Sequence, residues 1–388
     1  MPAMAKIFAT LFLAVFVTTM GAGLVAPLLP VYANELGASA LQIGFIFAAF
    51  SITRSLFVPY FGKLSDQRGR KPFLSLGLLI YFLLSLLYAL SHDVMALIGL
   101  RLAQGFASAM ILPVALAYVG DITPPDKEGR MMGAFNISIY FGLSVGPLLG
   151  GILRDWFDIR VSFLSMGGLT LVGFLLCFFL LPAEKERRNP RFSKNVKRAS
   201  YMGIMKNPPI MALFIFRSCF TTCIGITWAF IPLLGSSELK LSSSLIGVVV
   251  AVNVLVAGLL QTPMGYVADK YNKKILVILG GIVAVSATLY LAFAPSFFHL
   301  ALANTLFGVA GGVSLPAIMA LAVIEGRRVK AMGSVMGLLA QAHSLGMLIG
   351  PLIGGILLDT TSFAIIFLMG TFIIAVGTLL FWVRYTWR

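Results

Sequence analysis

Charged residues are scarce in this chain, and long polar stretches are almost missing. Only 11% of its 388 residues are charged, against about 25% in an ordinary soluble domain. Hydrophobic residues make up 59% of the chain, and the mean hydropathy is +0.97. This composition excludes a soluble enzyme and a disordered chain. The three cysteines all lie in apolar runs, which excludes a secreted disulfide scaffold.

The apolar runs are long enough to cross a bilayer repeatedly. A helix needs about 20 apolar residues to cross a hydrocarbon core of about 30 Å. Continuous runs favour helices over the alternating segments of a β-barrel, and the first run is too long for the core of a signal peptide. We therefore predict an all-α membrane protein with twelve transmembrane helices. The predicted spans are 7–31, 41–60, 73–92, 95–119, 131–153, 161–182, 210–234, 243–262, 274–294, 299–324, 332–357 and 361–383.

The basic residues are distributed unevenly between the two sides that these spans define. Of the 29 lysines and arginines, 23 fall in segments on the side of the N-terminus, and three fall on the opposite side. Basic residues mark the cytoplasmic side of a membrane protein. We expect a multi-pass protein of the inner (plasma) membrane with both termini in the cytoplasm. The net charge of +15 then sets topology and does not indicate a nucleic-acid partner.

The chain is an internal duplication. FGLSVGPLLGGILRD at Phe141–Asp155 repeats as LGMLIGPLIGGILLD at Leu345–Asp359, 204 residues later. We predict two pseudo-symmetric six-helix bundles, at 1–182 and 208–388. The basic stretch 183–207 between them is interpreted as a cytoplasmic linker, either a solvated tether or a segment that also touches anionic lipid. Parallel repeats of this kind are typical of alternating-access transporters.

Three motifs resemble those of the major facilitator superfamily. The family's loop signature resembles GKLSDQRGRK at Gly62–Lys71. Its span-four motif resembles RLAQG at Arg101–Gly105, and its antiporter motif resembles GLSVGPLLGG at Gly142–Gly151. The chain looks most like the drug:proton antiporter branch of small bacterial multidrug exporters. The resemblance implies the family's twelve-helix fold, usually as a monomer. It also implies a cavity between the halves near the midplane and a proton gradient as the energy source.

The resemblance also implies a conformational latch at the loop after span two. Asp66 would accept hydrogen bonds from backbone N–H groups at a helix start such as that of span eleven. Arg70 or Arg130 would pair with Asp121 when the cytoplasmic side is closed. The alternative is a basic turn that only sets topology. The residues assigned to the latch are Gly62, Asp66, Arg70, Lys71, Asp121, Arg130 and, in the degenerate second copy, Asp269.

Gly142, Gly146 and Gly150 are spaced four apart, so they form one smooth stripe on span five. Such a stripe permits close helix packing, and Pro147 should bend the helix. The resemblance implies that the stripe packs on span eight and controls bending and leakage. Close packing without a mechanistic bend is the alternative.

All 14 acidic residues lie in loops or at helix ends, whereas three arginines lie inside spans. Many proton-coupled drug exporters of the family hold a carboxylate in mid-membrane, so its absence here argues against a cationic substrate and carboxylate-based coupling. A charge inside the membrane costs at least ~2.5 kcal/mol and therefore faces protein or a water-filled cavity, unless its side chain snorkels to the interface. The candidate cavity residues are Arg54, Arg101, Gln104, Asn136, Tyr140, Arg217, Asn253, Gln341 and His343.

Two of these candidates have a second feature. Arg54 shares a helix face with phenylalanines, including Phe50 and Phe57, which would suit an amphipathic ligand. These rings are equally compatible with helix packing. His343 has the ordinary pKa nearest to physiological pH among the residues inside spans, so it either carries a coupling proton or is simply hydrogen-bonded to a neighbour.

No nucleotide-binding loop or catalytic triad stands out, so an ATP-driven pump and an enzyme are disfavoured. A receptor is compatible with the spans, although the duplication and the signature loop favour transport. We expect a secondary transporter without a cofactor that exports small amphipathic or drug-like compounds by proton antiport. The expected partners are that substrate and membrane lipids. The alternative is a transporter or flippase for an anionic amphiphile, a lysophospholipid or organic anion, recognised by Arg54 and Arg217.

Overall fold

A computed structural model describes residues 2–124, 128–182, 205–329 and 331–385. Within these ranges, twelve helices are long and apolar enough to cross a membrane, which confirms the predicted all-α membrane fold. Most of the predicted linker (183–204) lies outside the described residues.

The first six spans follow one another with short connections. Span one consists of two helices, Pro2–Val25 and Leu28–Glu35, separated at Pro27, whose ring removes a backbone N–H. Span six is a helix that continues into a π-helical turn. Spans two to six are Ala40–Arg68, Arg70–Ala89, Val94–Ile122, Glu128–Trp156 and Ile159–Leu175, the last extended by the turn Leu176–Leu180.

The second six spans begin after the linker, with prolines in the first turn of span seven. They are Pro208–Ser237, Ser243–Lys270, Lys273–Leu291, Phe297–Arg328, Met332–Leu358 and Phe363–Arg384. Several spans start at a side-chain cap, which satisfies backbone N–H groups that have no partner within the helix. Asp93 accepts from the backbone nitrogen of Ala96 at 3.0 Å, and Asn272 accepts from that of Lys274 at 3.0 Å.

Span two is longer than predicted. Its helix ends at Arg68, not near residue 60, because no residue interrupts it before Gly69. Gly69 has a φ of 90°, a backbone conformation that favours glycine. Asp66 therefore lies in the last turn of span two, and the prediction that it lies past the helix end is wrong.

The helices form two compact units. The first comprises Met1–Ala38, Ala49–Phe192 and Leu241–Ala251. The second comprises Ser39–Ala48, Ser193–Lys240 and Val252–Arg388. The units thus follow the two sequence halves, except that the starts of spans two and eight are exchanged between them.

Pairs of aromatic side chains lie in the core of each unit. In the first, the rings of Tyr88 and Phe163 stack with their centroids 5.3 Å apart. In the second, Phe220 stacks on Phe307 at 5.3 Å, and Phe216 meets Phe381 edge to face at 5.6 Å. Large rings bury much apolar area and add about 0.5–1.5 kcal/mol per well-oriented pair. These contacts fix the helices that carry the polar side chains of each unit.

Candidate transport site

A polar cluster in the first unit is built on span four. Arg101 is buried and donates from Nη1 to Oε1 of Gln104 at 2.9 Å. Tyr88 of span three donates its hydroxyl to the same oxygen at 3.2 Å. The spacing of three residues puts Arg101 and Gln104 on one helix face. The structure therefore brings these two candidate cavity residues together, and Gln104 holds the arginine in place.

The ring of Phe50 on span two lies beside two guanidinium groups. The Cζ of Arg101 is 5.5 Å from the ring centroid, and the Cζ of Arg54 is 5.9 Å from it. Tyr81 is close enough to interact electrostatically with both arginines. A guanidinium within about 6 Å of an aromatic ring is attracted to its face. Phe50 thus links the arginines of spans two and four into one group, which we call the Phe50 cluster.

Gly105 permits the close approach of spans two and four at this cluster. A Cβ at Gly105 would lie 3.1 Å from the carbonyl carbon of Phe50 and closer still to the Phe50 oxygen and the Thr53 hydroxyl. Any side chain there would push the helices apart. The glycine of the RLAQG motif therefore sets the distance at which Arg101, one turn earlier, reaches Phe50.

Arg54 lies midway along the observed helix of span two. Because span two runs from Ala40 to Arg68, Arg54 is fourteen residues from either end, or about 21 Å at 1.5 Å per residue. The sequence prediction counted about seven residues from the cytoplasmic end of a shorter helix. Arg54 is partly exposed and makes no hydrogen bond or ion pair to another described residue.

The second unit holds a different polar pair. Nη2 of Arg217 on span seven lies 3.3 Å from Nδ1 of His343 on span eleven. A guanidinium can only donate, so Nδ1 is the acceptor and carries no proton in this contact. Gly346 lets the two spans approach, since a Cβ there would lie 2.6 Å from the backbone oxygen of Ser218. The structure thus joins two candidates that are 126 residues apart.

The remaining candidates are dispersed. Asn253 on span eight donates to the backbone oxygen of Asn304 at 2.7 Å and to its side-chain oxygen at 3.2 Å, joining spans eight and ten. Asn136 and Gln341 are exposed and make no hydrogen bond to any residue within the described ranges. Tyr140 is half-buried, and its carbonyl accepts from the Ser144 hydroxyl at 2.8 Å.

The signature segment forms an ion-pair network around Arg70, which is buried. Its Nε lies 3.0 Å from Oδ2 of Asp121, its Nη1 donates to the Ser65 hydroxyl at 2.7 Å, and it also pairs with Asp66. We call this group the Arg70 network. The expected Arg70–Asp121 pair is present, and the latch role given to it stays a prediction. The predicted contact from Asp66 to span eleven also stays a prediction, and the Arg130 side chain lies outside the described residues.

The second-half copy of this network is not built in the same way. Asp269 is exposed and pairs with no cation in the described part of the chain. Glu325, at the position 204 residues after Asp121, is buried and accepts from the Tyr385 hydroxyl at 3.3 Å. Burial and the Glu325 carboxylate raise the pKa of Tyr385 above its ordinary value, so this hydroxyl stays protonated. Only the first copy therefore joins two carboxylates through one guanidinium.

At the opposite ends of the helices, two aspartates bind the starts of other spans. Asp155 accepts from the backbone nitrogens of Ser243 and Ser244 at 2.9 and 2.8 Å, which places the end of span five on the start of span eight. A carboxylate is favourable at a helix N-terminus because it accepts from free N–H groups and complements the helix dipole. We call this contact the Asp155 joint.

The Asp359 joint repeats this contact. Asp359, at the end of span eleven, accepts from the backbone nitrogens of Ala40 and Leu41 at 2.8 and 3.1 Å, at the start of span two. The joints are pseudo-equivalent, because Asp155 and Asp359 occupy the same position of the duplicated segment. Each carboxylate is exposed, so both contacts can exchange with water.

Small residues bring the backbones together at both joints. A Cβ at Gly151 would lie 2.7 Å from the carbonyl carbon of Ser243, and one at Gly355 would lie 2.8 Å from Cα of Leu41. One turn further, Gly247 meets the carbonyl of Pro147, and Gly44 meets that of Pro351. These approaches explain why the starts of spans two and eight group with the unit that holds their carboxylate.

The glycine stripe of span five has a different partner from the one expected. Gly142, Gly146 and Gly150 pack against the backbone of span one, where a Cβ at Gly146 would lie 2.7 Å from the backbone nitrogen of Leu24. The placement of this stripe on span eight is therefore wrong. Span eight is contacted instead by the carbonyl of Pro147 and by Gly151, on another face of the same helix.

The sequence reasoning missed the two aspartate joints. Both acids were counted only among charges at helix ends, although each closes a duplicated motif that ends in GGIL-x-D. An acid that survives at the same place in both halves is a signal for a contact formed twice. The partner of each aspartate could not be predicted, because every residue except proline has a backbone N–H and the sequence does not show which one is contacted.

Comparison with known proteins gives one family over the whole chain. A family model described as Major Facilitator Superfamily matches residues 11–242 and 213–388. An uncharacterized MFS-type transporter of Methanocaldococcus jannaschii is 30% identical over 360 residues, which cover 91% of this chain and 92% of that protein. Multidrug resistance protein 2 of Bacillus subtilis is 28% identical over 96% of this chain and 93% of its own length.

Other similar proteins extend this set. Quinolone resistance protein NorA of Staphylococcus aureus is 25% identical over 90% of this chain and 89% of its own length. The solved structure of the nucleoside transporter NupG has a TM-score of 0.83 at 14% identity and covers 98% of this chain and all of its own. At that identity the likeness to NupG shows a shared fold.

Proposed function

Because the chain belongs to the major facilitator superfamily, we propose that it exports amphipathic, drug-like compounds from the cell in exchange for protons. It is a multi-pass membrane transporter and not an enzyme. Similar proteins that span about nine-tenths or more of both chains are named for multidrug or quinolone resistance, and these names support efflux as the direction.

The pair of aspartate joints is the observation that carries this proposal. Each joint connects a helix of one sequence half to a helix of the other, and the predicted topology assigns both to the side opposite the termini. A carboxylate and two backbone amides form strong bonds when in contact, and water replaces these bonds when the helices separate. The joints are therefore suited to a molecule that closes this end in one state and opens it in another, as alternating access requires.

The Arg70 network supplies the corresponding element at the other end. Arg70 holds the ends of spans two and four together through Asp66 and Asp121, so these spans move as one body. We propose that Asp66 then binds a helix start of the second half when this end closes. The two ends would thus use the same chemistry, a carboxylate on a helix N-terminus, in opposite states.

Proton coupling is assigned to His343. The span interiors contain no acidic residue, and Nδ1 of His343 accepts from Arg217 in the described contact. Protonation of Nδ1 would repel Arg217, and loss of the proton would let the arginine return. A substrate that needs Arg217 in the described contact would then bind only when His343 is unprotonated, so that proton and substrate exclude each other. This exchange links one proton to one transport step without a carboxylate in the membrane interior.

Reconstituted flux tests the proposal. Liposomes that contain the purified protein are loaded with a fluorescent amphipathic dye. The release or accumulation of the dye is followed under imposed pH gradients of either sign. We expect dye movement against its own gradient, opposite in direction to the proton flow. Movement that ignores the pH gradient would refute antiport, and the absence of protein-dependent movement for a panel of dyes would refute drug efflux.

A further inference from the structure

We propose that the Phe50 cluster is a binding site for the anionic head group of an amphiphile, with Arg54 as the residue that contacts the ligand. The inference rests on the proposed function, because it names the substrate class of a transporter. The ligand would carry a carboxylate or a phosphate on an apolar body. The site lies entirely within the first unit, on spans two, three and four.

The first argument is charge. Two guanidinium groups lie within 6 Å of one ring centroid, at 5.5 and 5.9 Å, and no acidic residue occurs in the interior of any span. Both guanidinium groups are positive, so their potentials add at the surface near the Phe50 ring. An anion beside them would be attracted by both charges. The cluster therefore disfavours a cationic ligand and favours a negatively charged one.

The second argument is the different state of the two arginines. Arg101 is buried and directs Nη1 to Gln104, which is itself held by Tyr88. Arg54 is only partly buried and has no hydrogen bond or ion pair to the described residues. A guanidinium offers five N–H donors in a planar fork. Arg54 thus has donors to give to a ligand, while Arg101 is fixed as a second charge behind it.

The third argument is depth. Arg54 lies midway along span two, about 21 Å from either helix end. The apolar part of this span, 41–60, places Arg54 about seven residues, or about 10 Å, inside its cytoplasmic end. A charge at this depth faces protein or a water-filled cavity. A carboxylate or phosphate reaching it would form two parallel hydrogen bonds with the fork.

The fourth argument is the surface next to the charge. One turn after Arg54, Phe57 meets Phe106 of span four edge to face at 4.8 Å, and Phe61 meets Phe106 at 5.1 Å. Phe57 and Phe106 are partly exposed. Positive charge at Arg54 and aromatic surface beside it match a ligand that is acidic at one end and apolar along its body.

The duplication shows that the cluster is not required by the fold. The second half carries a degenerate copy of the signature segment and the aspartate of one of the two joints, yet it has Ala257 and Gly258 at the level of Arg54. A six-helix bundle of this kind therefore forms without an arginine at that position. The first half carries the arginine although it costs at least ~2.5 kcal/mol in the membrane interior.

Binding of a matched pair of probes tests the inference. Purified protein in lipid nanodiscs is titrated with 11-(dansylamino)undecanoic acid and with the corresponding dansyl undecylamine, which share their body and differ in the head group. The variants are Arg54→Gln, which removes the charge, and Arg54→Lys, which keeps the charge and loses the fork. Arg68→Gln is the control, because Arg68 is exposed at the end of the same span.

We expect wild type and Arg68→Gln to bind the acid more tightly than the amine. Arg54→Gln should weaken acid binding at least tenfold, and Arg54→Lys should weaken it about threefold. Size-exclusion chromatography and circular dichroism establish that each variant is folded, and Arg54→Lys replaces Arg54→Gln as the decisive variant if only the latter fails. Acid binding within twofold of wild type in the folded variant refutes the inference.

Competition separates two sources of the same chemistry. Displacement of the acid probe by lysophosphatidate but not by 2-naphthoate identifies a lipid substrate, and the reverse identifies an organic carboxylate. Dye efflux under a pH gradient is measured on the same preparations. If Arg54→Gln still exports dye and binds the acid as wild type does, only this inference is refuted. If acid binding depends on Arg54 but wild type transports no dye, the proposed function is refuted and the binding site is retained.

Discussion

The arginines of this protein differ in what neutralises them. Arg70, at the end of a span, binds two carboxylates, whereas Arg217 meets a histidine at 3.3 Å. Arg54 lies beside the Phe50 ring. A guanidinium paired with acids is a structural element, and one that faces only neutral groups is available to a charged ligand. The arginines therefore differ in their described partners, and only Arg70 is paired with acids among these three.

Neutralising Asp66 tests the latch at this scale. Asp66→Asn leaves Arg70 paired with Asp121, so the protein should still fold. It removes the charge that we propose binds a helix start, a contact worth about 1–3 kcal/mol, or 5- to 150-fold in an equilibrium. We expect transport in proteoliposomes to fall at least tenfold at an unchanged protein level.

Asp269→Asn is the matched control for this change. Asp269 occupies the same position in the second half, is exposed and has no cation partner among the described residues. Its transport rate should stay within twofold of wild type. Equal losses in both variants would contradict the assignment of the latch to the first copy.

Gly105→Ala tests the close approach at the Phe50 cluster. The added Cβ would lie 3.1 Å from the Phe50 carbonyl carbon, with two atoms nearer still. Overpacking of this kind costs about 1–3 kcal/mol. We expect a lower melting temperature in detergent, measured by scanning fluorimetry. Gly99→Ala on the same span, where a Cβ meets nothing within 4 Å, should melt like wild type or slightly higher, and a similar drop there would refute the steric explanation.

At residue scale, the sequence predicted which residues interact better than it predicted how closely their helices approach. Arg101 and Gln104 were both named as cavity candidates, and the motif resemblance named Arg70 or Arg130 as the partner of Asp121. The shared ring of Phe50 was not predicted, because it depends on how closely spans two and four approach. That approach depends on Gly105, whose role appears only when the neighbouring helix is known.

At the scale of helices, the contacts at the helix ends determine the packing as much as the apolar middle segments do. Each joint combines a carboxylate, two backbone N–H groups and a glycine that permits contact. The stripes of spans five and eleven pack on spans one and seven instead. One face of each of these helices is therefore fixed within its own half, and another face with its terminal aspartate meets the opposite half.

Removing both joint carboxylates should loosen this end of the bundle. In a cysteine-free background with spin labels at Ser39 and Thr361, Asp155→Ala combined with Asp359→Ala should increase the population of long distances measured by pulsed electron paramagnetic resonance. The reason is the loss of four N–H···O bonds that exist only when the helices meet.

Asp93→Ala provides the control for the joint variants. Asp93 caps the start of its own helix, span four, so its loss costs about 1 kcal/mol of stability but breaks no contact between spans. The distance distribution should stay as in wild type. An unchanged distribution in the joint double variant would show that the joints do not hold this end.

The number of spans was predictable and their lengths were not. Apolar runs report the part of a helix that lies in hydrocarbon, whereas a helix continues beyond it until a residue such as Gly69 ends it. Span two was therefore predicted to end about eight residues before its helix does. The partner of the glycine stripe was also mistaken, because periodicity defines a face and does not name the neighbour.

At the scale of the whole molecule, the internal duplication predicts two related halves, and the uneven distribution of basic residues predicts the orientation in the membrane. The most similar segments of the two halves are Phe141–Asp155 and Leu345–Asp359, which are 204 residues apart. The polar interiors differ, since one half carries Arg54 and Arg101 and the other Arg217 and His343.

The orientation in the membrane is testable by reporter fusions. With 23 of 29 basic residues on one side, both termini should be cytoplasmic. Alkaline phosphatase fused after Arg388 should be inactive, and the same enzyme inserted between spans seven and eight at Lys240 should be active. Green fluorescent protein at the two positions should give the reverse pattern, and activity of both phosphatase fusions would overturn the assigned topology.

The crossed origin of the aspartate joints has a consequence for biogenesis. Each acid is translated in one repeat, while the amides that receive it are translated in the other. Asp155 is synthesised before span eight. The start of span two is synthesised early, whereas its partner Asp359 is synthesised only near the end of the chain. A nascent chain is thus left with one exposed helix start until its last spans insert, so truncated products should be recognised by membrane proteases even when their first six helices are correctly inserted.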